Sequence, residues 1–251
     1  DNLTVNSSGL VSIDSSLSST DGDLTLVTTG DVDVPSTGSI TSTNGNVTLQ
    51  ADSLTMIAGS SLSSGGSTVV NVAQSSPVAA TVAGAGSLTK QGAGTLTLSG
   101  TNTYLGATTI QTGVVNIQNA SALGSTAAGT TVASGAALQF QGGIDVGAEA
   151  VTISGTGPSG NGALESVAGF NSLAGVVTLA ADTSIFSTDG VLNLNNSVAT
   201  DGFELTFDGD TPNNPVMTAA ISGAGSIVKR GTAQVTLWAA NSYTGSTTVE
   251  Q

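Results

Sequence analysis

The sequence predicts an all-β protein that folds as a right-handed parallel β-helix, a solenoid with roughly 20–23 residues per coil. Three features predict this fold. Glycine and small aliphatic and hydroxyl residues dominate the composition, a 28-residue motif occurs twice without a gap, and a looser repeat of 21–23 residues runs through the first 75 residues. Repetition at a fixed period indicates stacked units, each of which buries its apolar face against its neighbours.

The composition excludes several classes of protein. Only 8% of the residues are charged and 3% are aromatic, so the core must consist of many small aliphatic side chains. Ser, Thr, Val and Gly are poor helix formers, and we expect almost no helix. The apolar fraction of 38% argues against disorder. The net charge of −14 would repel a phosphate backbone, so we expect no nucleic acid partner.

The first 75 residues carry the looser repeat. Residues 17–26 align with residues 40–49 at a spacing of 23, Leu62 follows Ile40 by 22, and residues 9–13 align with residues 30–34 at a spacing of 21. Each unit contains two or three alternating apolar and polar runs bounded by Gly, Asn, Asp or Ser, which is the pattern of short strands joined by turns. One unit therefore forms one coil, and the chain forms roughly eleven coils.

A recurrent triplet, apolar-Thr-apolar, marks strands along the whole chain. Successive side chains of a strand point to opposite faces, so the two apolar residues face inward and the threonine faces outward. We expect Leu96, Leu98, Val235 and Leu237 to lie in inward ladders of this kind. The triplets occupy residues 3–5, 24–26, 47–49, 54–56, 96–98, 151–153, 177–179, 205–207 and 235–237.

The duplicated motif spans residues 84–111 and returns at residues 223–250. Its glycines allow tight corners between coils, and its asparagine is suited to cap a turn or to stack as a ladder. We expect its tyrosine to cover an apolar edge with the hydroxyl in water, and its lysine to neutralise nearby carboxylates. The repeated residues are Gly84, Gly86, Lys90, Gly92, Asn102, Tyr104 and Gly106 in the first copy, and Gly223, Gly225, Lys229, Gly231, Asn241, Tyr243 and Gly245 in the second.

The motif closely resembles the passenger-associated transport repeat, also called the autotransporter-associated β-strand repeat, with the hallmark G-x-G-x-L-x-K-x-G-x-G-x-L-x-L-x-G-x-N-x-Y-x-G-x-T-x-V. The first copy satisfies this pattern nearly completely, and the second departs from it at Ala233 and Ala240. Residues 1–75 are similar in texture to adhesins of the filamentous-haemagglutinin type. The resemblance implies an autotransporter or giant secreted adhesin passenger of a Gram-negative bacterium, in which the motif takes part in translocation and folding.

The domain organisation follows from the two repeat types. We expect haemagglutinin-like coils at residues 1–77 and coils with the two motif copies at residues 78–251, within one continuous solenoid. The second copy stops at Glu250, whereas the first continues into further strand-like residues, so we expect a segment of a longer protein. Residues 155–162 and 208–215 predict longer, protruding loops.

The chain contains neither histidine nor cysteine, which excludes imidazole and thiolate groups as nucleophiles or metal ligands. Paired carboxylates are the remaining route to catalysis, as in β-helical polysaccharide hydrolases and lyases. Because these acids stand beside turn residues such as glycine, turn chemistry explains them better, and we expect no enzyme and no catalytic residue. The pairs are Asp21/Asp23, Asp31/Asp33 and Asp208/Asp210.

The loop at residues 208–214 offers oxygen ligands, and its candidate binding residues are Asp208, Asp210, Asn213 and Asn214. The loop departs from the EF-hand pattern because Pro212 stands where that pattern needs Asp or Asn. We therefore expect no metal and no cofactor beyond a low-affinity Ca²⁺ site. A regular outward file of threonines would suit an ice-binding protein, but the spacings here are irregular.

These observations predict a structural and adhesive segment of a secreted bacterial cell-surface or extracellular fibre protein. Its expected partners are further coils of the same chain or identical subunits in a fibre, and a host surface or a polysaccharide is a candidate ligand. No part of the segment is expected to insert into a membrane. The alternative function is a carbohydrate-binding or carbohydrate-cleaving β-helix that uses the loops at residues 155–162 and 208–215.

Overall fold

The structure is a computed structural model that describes residues 1–210 and 216–250, with Met217 described by its backbone only. It confirms the predicted fold class: the chain is a parallel β-solenoid of about 11 turns with roughly 21 residues per coil. The right hand of the coil stays a prediction. The chain divides into two compact units, residues 1–128 and residues 129–251.

The first unit contains sixteen short strands that pair in parallel. These strands are β1 (Leu3–Ser7), β2 (Val11–Ser12), β3 (Ser16–Ser19), β4 (Leu24–Thr28), β5 (Val32–Val34), β6 (Ser39–Ser42), β7 (Val47–Ala51), β8 (Leu54–Met56), β9 (Ser61–Ser64), β10 (Thr68–Val72), β11 (Ser76–Val78), β12 (Thr81–Gly84), β13 (Leu88–Gln91), β14 (Thr95–Leu98), β15 (Thr108–Ile110) and β16 (Gly113–Ile117).

The strands of the first unit stack in three columns. The first column contains β1, β4, β7, β10, β13 and β15, the second β2, β5, β8, β11, β14 and β16, and the third β3, β6, β9 and β12. Leu3 lies opposite Leu24, and Leu24 opposite Val47, which confirms the alternation of 21- and 23-residue spacings.

Alternating side chains build the core of this unit. In β4 and β7 the flanking aliphatic residues Leu24, Leu26, Val47 and Leu49 are buried, and the threonines between them face outward. Leu96 and Leu98 are buried in the same way, as the sequence predicted. Burial of one leucine side chain is worth about 1.5–3 kcal/mol, so stacked aliphatic ladders supply much of the stability of a solenoid.

The second unit contains thirteen strands and one three-residue 3₁₀ turn, Pro158–Gly160, which is the only helical element of the described residues. No helix long and apolar enough to cross a membrane occurs among them. The strands are β17 (Thr130–Val132), β18 (Ala136–Gln141), β19 (Asp145–Val146), β20 (Val151–Gly155), β21 (Leu164–Leu173), β22 (Val177–Leu194), β23 (Val198–Ala199), β24 (Leu205–Gly209), β25 (Val216–Thr218), β26 (Ile221–Ser222), β27 (Ile227–Lys229), β28 (Val235–Leu237) and β29 (Thr247–Val249).

The second unit also stacks in three parallel columns, and the long strand β22 passes through all of them. The first column contains β17, β20, β22, β23 and β26. The second contains β18, β21, β22, β24, β27 and β29. The third contains β19, β21, β22, β25 and β28.

Two predictions about side-chain burial need correction in this unit. Leu237 keeps the expected register opposite Thr218, but it is 37% exposed and Val235 is half-buried, because no described strand stacks on β28. Thr206 was predicted to face water and is buried. It stacks between Ser184 and Val228, which are buried too, so the outer side of this column is itself covered.

Candidate functional site

The lysine of the first motif copy lies inside the solenoid. Lys90 occupies an inward position of β13, in a ladder between Val70 and Ile110, and its side chain is fully buried. Its ammonium donates hydrogen bonds to the carbonyl oxygens of Gln91 and Gly92, both at 2.7 Å, and of Thr112 at 3.4 Å. The prediction that Lys90 neutralises carboxylates is therefore wrong.

The environment of Lys90 changes its acid strength. An ammonium group loses its hydration when it is buried, which disfavours the charged form, and burial lowers the pKa of Lys90 to about 8. Three backbone carbonyl groups replace part of that hydration. In return, the ammonium gives hydrogen-bond partners to the carbonyl groups at a corner where the chain leaves the strand ladder.

The motif glycines lie where backbones of successive coils approach closely. Gly84 and Gly92 have φ of 126° and 77°, and Gly223 and Gly231 have φ of 106° and 63°, a region that side chains disfavour. The other four motif glycines are needed because a side chain would collide with the backbone of a neighbouring coil. A Cβ atom on Gly86 would lie 1.6 Å from the carbonyl oxygen of Gly66 in the preceding coil. The remaining close approaches are those of Gly106, Gly225 and Gly245, where a Cβ atom would lie 2.6, 1.8 and 2.4 Å from backbone atoms of other coils.

The motif asparagine joins three successive coils. In this part of the first unit the third side of the coil is an extended segment beside β12, and Asn102 occupies an inward position in it. Its Oδ1 accepts a hydrogen bond from the backbone nitrogen of Val82 at 2.8 Å, and its Nδ2 donates to the carbonyl of Ala122 at 2.6 Å. The side chain therefore takes over hydrogen bonds that a strand backbone would make.

The motif tyrosine is buried. The sequence predicted that its hydroxyl faces water, and this prediction is wrong. Tyr104 forms a 2.6 Å hydrogen bond between its hydroxyl and Oγ1 of Thr108. Gly124 leaves room for the ring, because a Cβ atom there would lie 2.9 Å from Cδ2 of Tyr104. The next coil covers the tyrosine, which explains the burial.

The second copy repeats most of these contacts, but Nδ2 of Asn241 donates to the carbonyl of Ala239 in its own coil. Lys229 donates to the carbonyl oxygens of Arg230 and Gly231, Oδ1 of Asn241 accepts from Ile221 at 2.8 Å, and the hydroxyl of Tyr243 is 2.7 Å from Oγ1 of Thr247. These side chains are half-buried rather than buried. Burial still lowers the pKa of Lys229, and the charge of Asp208 partly offsets that effect.

Three of the six predicted paired carboxylates, Asp21, Asp23 and Asp31, contact the following coil. Asp21 accepts from the side chain of Asn44, and Asp23 accepts from the backbone and side chain of Asn46. Asp31 accepts from Ser53, and Asp208 accepts from the backbone of Gly209. Asp33 lines a cavity of about 360 Å³ together with Asp14 and Ile57.

Half of the residues predicted to bind calcium lie outside the described residues. Asn213 and Asn214 lie outside them, so only Asp208 and Asp210 of the predicted set can be placed. Among residues 1–210 and 216–250, no group of three or more Asp or Glu side chains is arranged to hold a metal ion. The other predicted loop contains the 3₁₀ turn Pro158–Gly160 and carries no charged side chain.

A second cavity involves residues that the sequence analysis did not single out. It has a volume of about 240 Å³ and lies in the second unit beside Trp238. Trp238 is the only tryptophan of the chain and is 71% exposed. This isolated large aromatic residue, directly after an apolar-Thr-apolar triplet, was the signal that could have identified the site.

Comparisons with known proteins agree with the geometry of the two corners. Residues 88–117 and 227–251 match the family described as Passenger-associated-transport-repeat. Both segments include the lysine, asparagine and tyrosine of the motif, and they start four residues after the repeated sequence begins. No curated protein and no solved structure matches the chain.

Proposed function

We propose that this chain, which carries two passenger-associated transport repeats, is a structural and adhesive segment of a secreted bacterial cell-surface or extracellular fibre protein. The repeat is characteristic of autotransporter passengers, and this supports a place for the segment outside the cell. The observation that carries the proposal is the pair of matching corners, in which the motif residues hold one coil to the next.

A structural role fits where the motif side chains point. Lys90, Asn102 and Tyr104 all point inward, and their polar groups form hydrogen bonds within the solenoid. In a solenoid each coil contacts its neighbours, so folding can propagate coil by coil along the chain. A corner whose contacts are supplied by local residues can order a new coil as soon as it emerges, which suits a chain that folds after export.

We propose further coils, of the same chain or of an identical subunit, as the main partners. The support is the apolar surface at the last described strands: Leu237 of β28 and Val249 of β29 are exposed at ladder positions that are buried in earlier coils. A host surface or a polysaccharide is the proposed adhesive target. We propose no catalytic activity, and the contacts of Asp21, Asp23 and Asp31 with the following coil favour a structural use of these carboxylates.

Export and surface display test the proposal. The chain is placed between a signal sequence and the membrane anchor of an autotransporter in a Gram-negative host, and surface exposure is measured by antibody labelling of whole cells and by added protease. We expect display of a protease-resistant passenger. A variant with Lys90, Asn102 and Tyr104 replaced by serine should lose most of the display, whereas a control with outward Thr89 and Thr103 replaced by serine should not.

Two outcomes would contradict the proposal. Retention of the wild-type chain inside the cell, while an established passenger is displayed from the same vector, would argue against a passenger segment. Equal display of the triple-serine variant and the wild type would show that the motif corner has no part in export or folding.

A further inference from the structure

We propose that the cavity beside Trp238 is a binding site for a neutral carbohydrate. The cavity has a volume of about 240 Å³, below the roughly 300–1,000 Å³ of pockets that enclose drug-sized ligands. It therefore suits one sugar ring at a time, within a longer glycan that continues along the surface. Its lining residues are Asn193, Leu194, Asn195, Thr218, Ala219 and Trp238.

The third strand column of the second unit positions these residues. Leu194 lies opposite Thr218, and Thr218 opposite Leu237. The residues that follow them, Asn195, Ala219 and Trp238, therefore share one corner of three successive coils. Backbone hydrogen bonds fix this corner, from Ala219 to Leu194 at 2.9 Å and from Trp238 to Thr218 at 3.0 Å. The small side chain of Ala219 leaves space between the indole and the asparagines.

An exposed indole beside amide groups has the chemistry that recognises sugars. The face of an aromatic ring carries partial negative charge and its edge partial positive charge. The C–H face of a pyranose ring presents weakly positive hydrogens and is apolar, so it can stack on the indole of Trp238. Asn193 and Asn195 offer carbonyl oxygens and NH₂ groups, which can bind the hydroxyl groups at the edge of such a ring.

Two polar atoms of the cavity residues lack a partner. Oδ1 of Asn193 and Oγ1 of Thr218 are buried and form no hydrogen bond with the described residues. A buried polar atom without a partner costs about 1–3 kcal/mol. Thr218 lies in the inward ladder between Leu194 and Leu237, whereas Asn193 lies on the outward side of its strand, between the buried Leu192 and Leu194. A ligand hydroxyl seated in the cavity can therefore supply the missing hydrogen bond of Asn193 after a rotation of its amide.

The charge pattern favours a neutral ligand. None of the lining residues is charged, and the chain carries a net charge of −14. An anionic polysaccharide would approach against that field, whereas a neutral glycan would not.

Trp238 is exposed because of its outward position, and not because no described strand stacks on β28. The equivalent residue of the first motif copy is Ser99, which follows β14 and stays half-buried although β16 stacks on that strand. A coil stacked on β28 would therefore leave Trp238 accessible from the side. The serine at this position also shows that the motif itself does not require tryptophan.

This inference deepens the adhesive part of the proposed function and rests on it for the setting outside the cell. Binding itself is measured on the purified chain, so its failure is distinct from a failure of export. Trp238 is the only tryptophan, so its fluorescence reports on this site alone. The probes are cellohexaose, maltohexaose and hexa-N-acetylchitohexaose, with hexagalacturonate as the anionic comparison.

We expect at least one neutral hexasaccharide to shift Trp238 emission to shorter wavelength, saturably, and to protect it from acrylamide quenching. Calorimetry should give the same affinity and show a loss of about tenfold or more in Trp238→Ser, which restores the residue of the first copy, and in Asn193→Ala. Phe170→Ala is the control, because Phe170 is also highly exposed but lies outside the cavity, and its affinity should equal that of the wild type.

The proposal would be overturned if no neutral probe changed emission or heat at millimolar concentration. It would also be overturned if hexagalacturonate bound as well as the neutral glycans, or if Phe170→Ala lowered affinity as much as Trp238→Ser. The last result would indicate general adhesion to exposed apolar residues.

Discussion

At the scale of single residues, Lys90 shows how the motif uses a charge inside an aliphatic core. A buried charge without partners is strongly destabilising, yet Lys90 lies between Val70 and Ile110 and forms no ion pair with a carboxylate of the described residues. Its partners are backbone carbonyl oxygens at the corner. The lysine therefore acts as an internal cap for the turn after β13, and the long apolar stem of its side chain fills the ladder.

Stability should depend on the protonation of Lys90. Its folded-state pKa is about 8, below the ordinary value of 10.5, so the unfolded chain binds more protons between these pH values. The contribution of Lys90 to stability is therefore fully present above pH 10.5 and is lost as the pH falls through about 8. We expect the free energy of unfolding to rise by on the order of 1–3 kcal/mol between pH 8 and 10.5, measured by denaturant melts.

The control for Lys90 is the second copy of the motif. Lys90→Met should flatten this pH dependence, and subtraction of the two profiles removes the titration of the tyrosines. Lys229→Met should flatten the profile less than Lys90→Met, because Lys229 is only half-buried and the charge of Asp208 partly offsets the effect of burial on its pKa. Parallel profiles for wild type and Lys90→Met would show that Lys90 is hydrated in the folded protein.

Two buried glutamates of the second unit should respond oppositely to the same substitution. Glu149 accepts one hydrogen bond, from Thr130 at 2.7 Å, and its Oε2 has no partner among the described residues. Both oxygens of Glu165 have partners, Thr188 and Gln139. We expect Glu149→Gln to stabilise the protein by roughly 1 kcal/mol at neutral pH and Glu165→Gln to destabilise it by a similar amount, measured by urea denaturation.

The pH dependence of the free energy of unfolding tests whether Glu149 is a buried, poorly paired carboxylate. Burial raises the pKa of Glu149, and the hydrogen bond from Thr130 partly offsets this. Its contribution to stability is therefore present below its ordinary pKa and lost as the pH rises through the higher folded-state value. Glu149→Gln should remove that loss. A destabilised Glu149→Gln variant at neutral pH would mean that the carboxylate has a partner in solution.

At the scale of elements, each coil must fill the inward ladder positions with side chains and must also pair its backbone hydrogen-bond donors and acceptors. Regular strands do both, and the motif coil does so on its third side without a strand. Asn102 supplies a side-chain acceptor and donor to two neighbouring coils, and Tyr104 fills the inward space. The asparagine and tyrosine of the motif together replace a strand.

The same substitution at equivalent positions of the two motif copies should change the free energy of unfolding by different amounts, although both positions carry leucine. Leu98 is 1% exposed, and its counterpart Leu237 is 37% exposed. We expect Leu98→Ala to cost about 2–5 kcal/mol of unfolding free energy, and Leu237→Ala to cost about 1 kcal/mol or less, since its outer side contacts no described strand. Denaturant melts of both variants measure the difference. Equal losses would show that Leu237 is covered in solution.

At the scale of the whole molecule, period and alternation predict the fold because a solenoid repeats one local rule. The 23-residue spacing between residues 17–26 and 40–49 is the register of β3 with β6 and of β4 with β7. The triplets point their aliphatic residues inward for the same reason. The repeat pattern determines the position of each residue within its coil, and the stacking of coils then determines which residues lie opposite it.

The parts that sequence reasoning missed depend on what stacks above or below a residue. The polar ends of lysine and tyrosine side chains usually lie at the protein surface. Lys90 and Tyr104 are buried because the following coil covers them and because the corner supplies hydrogen bonds to their polar groups. The cavity at Trp238 depends on residues from three coils, Asn193, Ala219 and Trp238. No linear motif joins these residues, so only the stacking register brings them together.

Paired cysteines test the parallel coil register most directly, because the chain contains no native cysteine. Thr89 lies opposite Thr109 in the first unit, and Thr178 opposite Ala199 in the second. Adjacent strands are about 4.8 Å apart, within the span of a disulfide. Partners displaced by two residues are about 8 Å apart, beyond that span.

We predict that Thr89→Cys/Thr109→Cys and Thr178→Cys/Ala199→Cys form intramolecular disulfides under mild oxidation, detected by mass spectrometry of the monomer. The displaced pairs Thr89→Cys/Gln111→Cys and Thr178→Cys/Asp201→Cys should stay reduced. Disulfides in the displaced pairs and none in the register pairs would contradict the parallel β-solenoid on which the description of the two motif corners and the cavity depends.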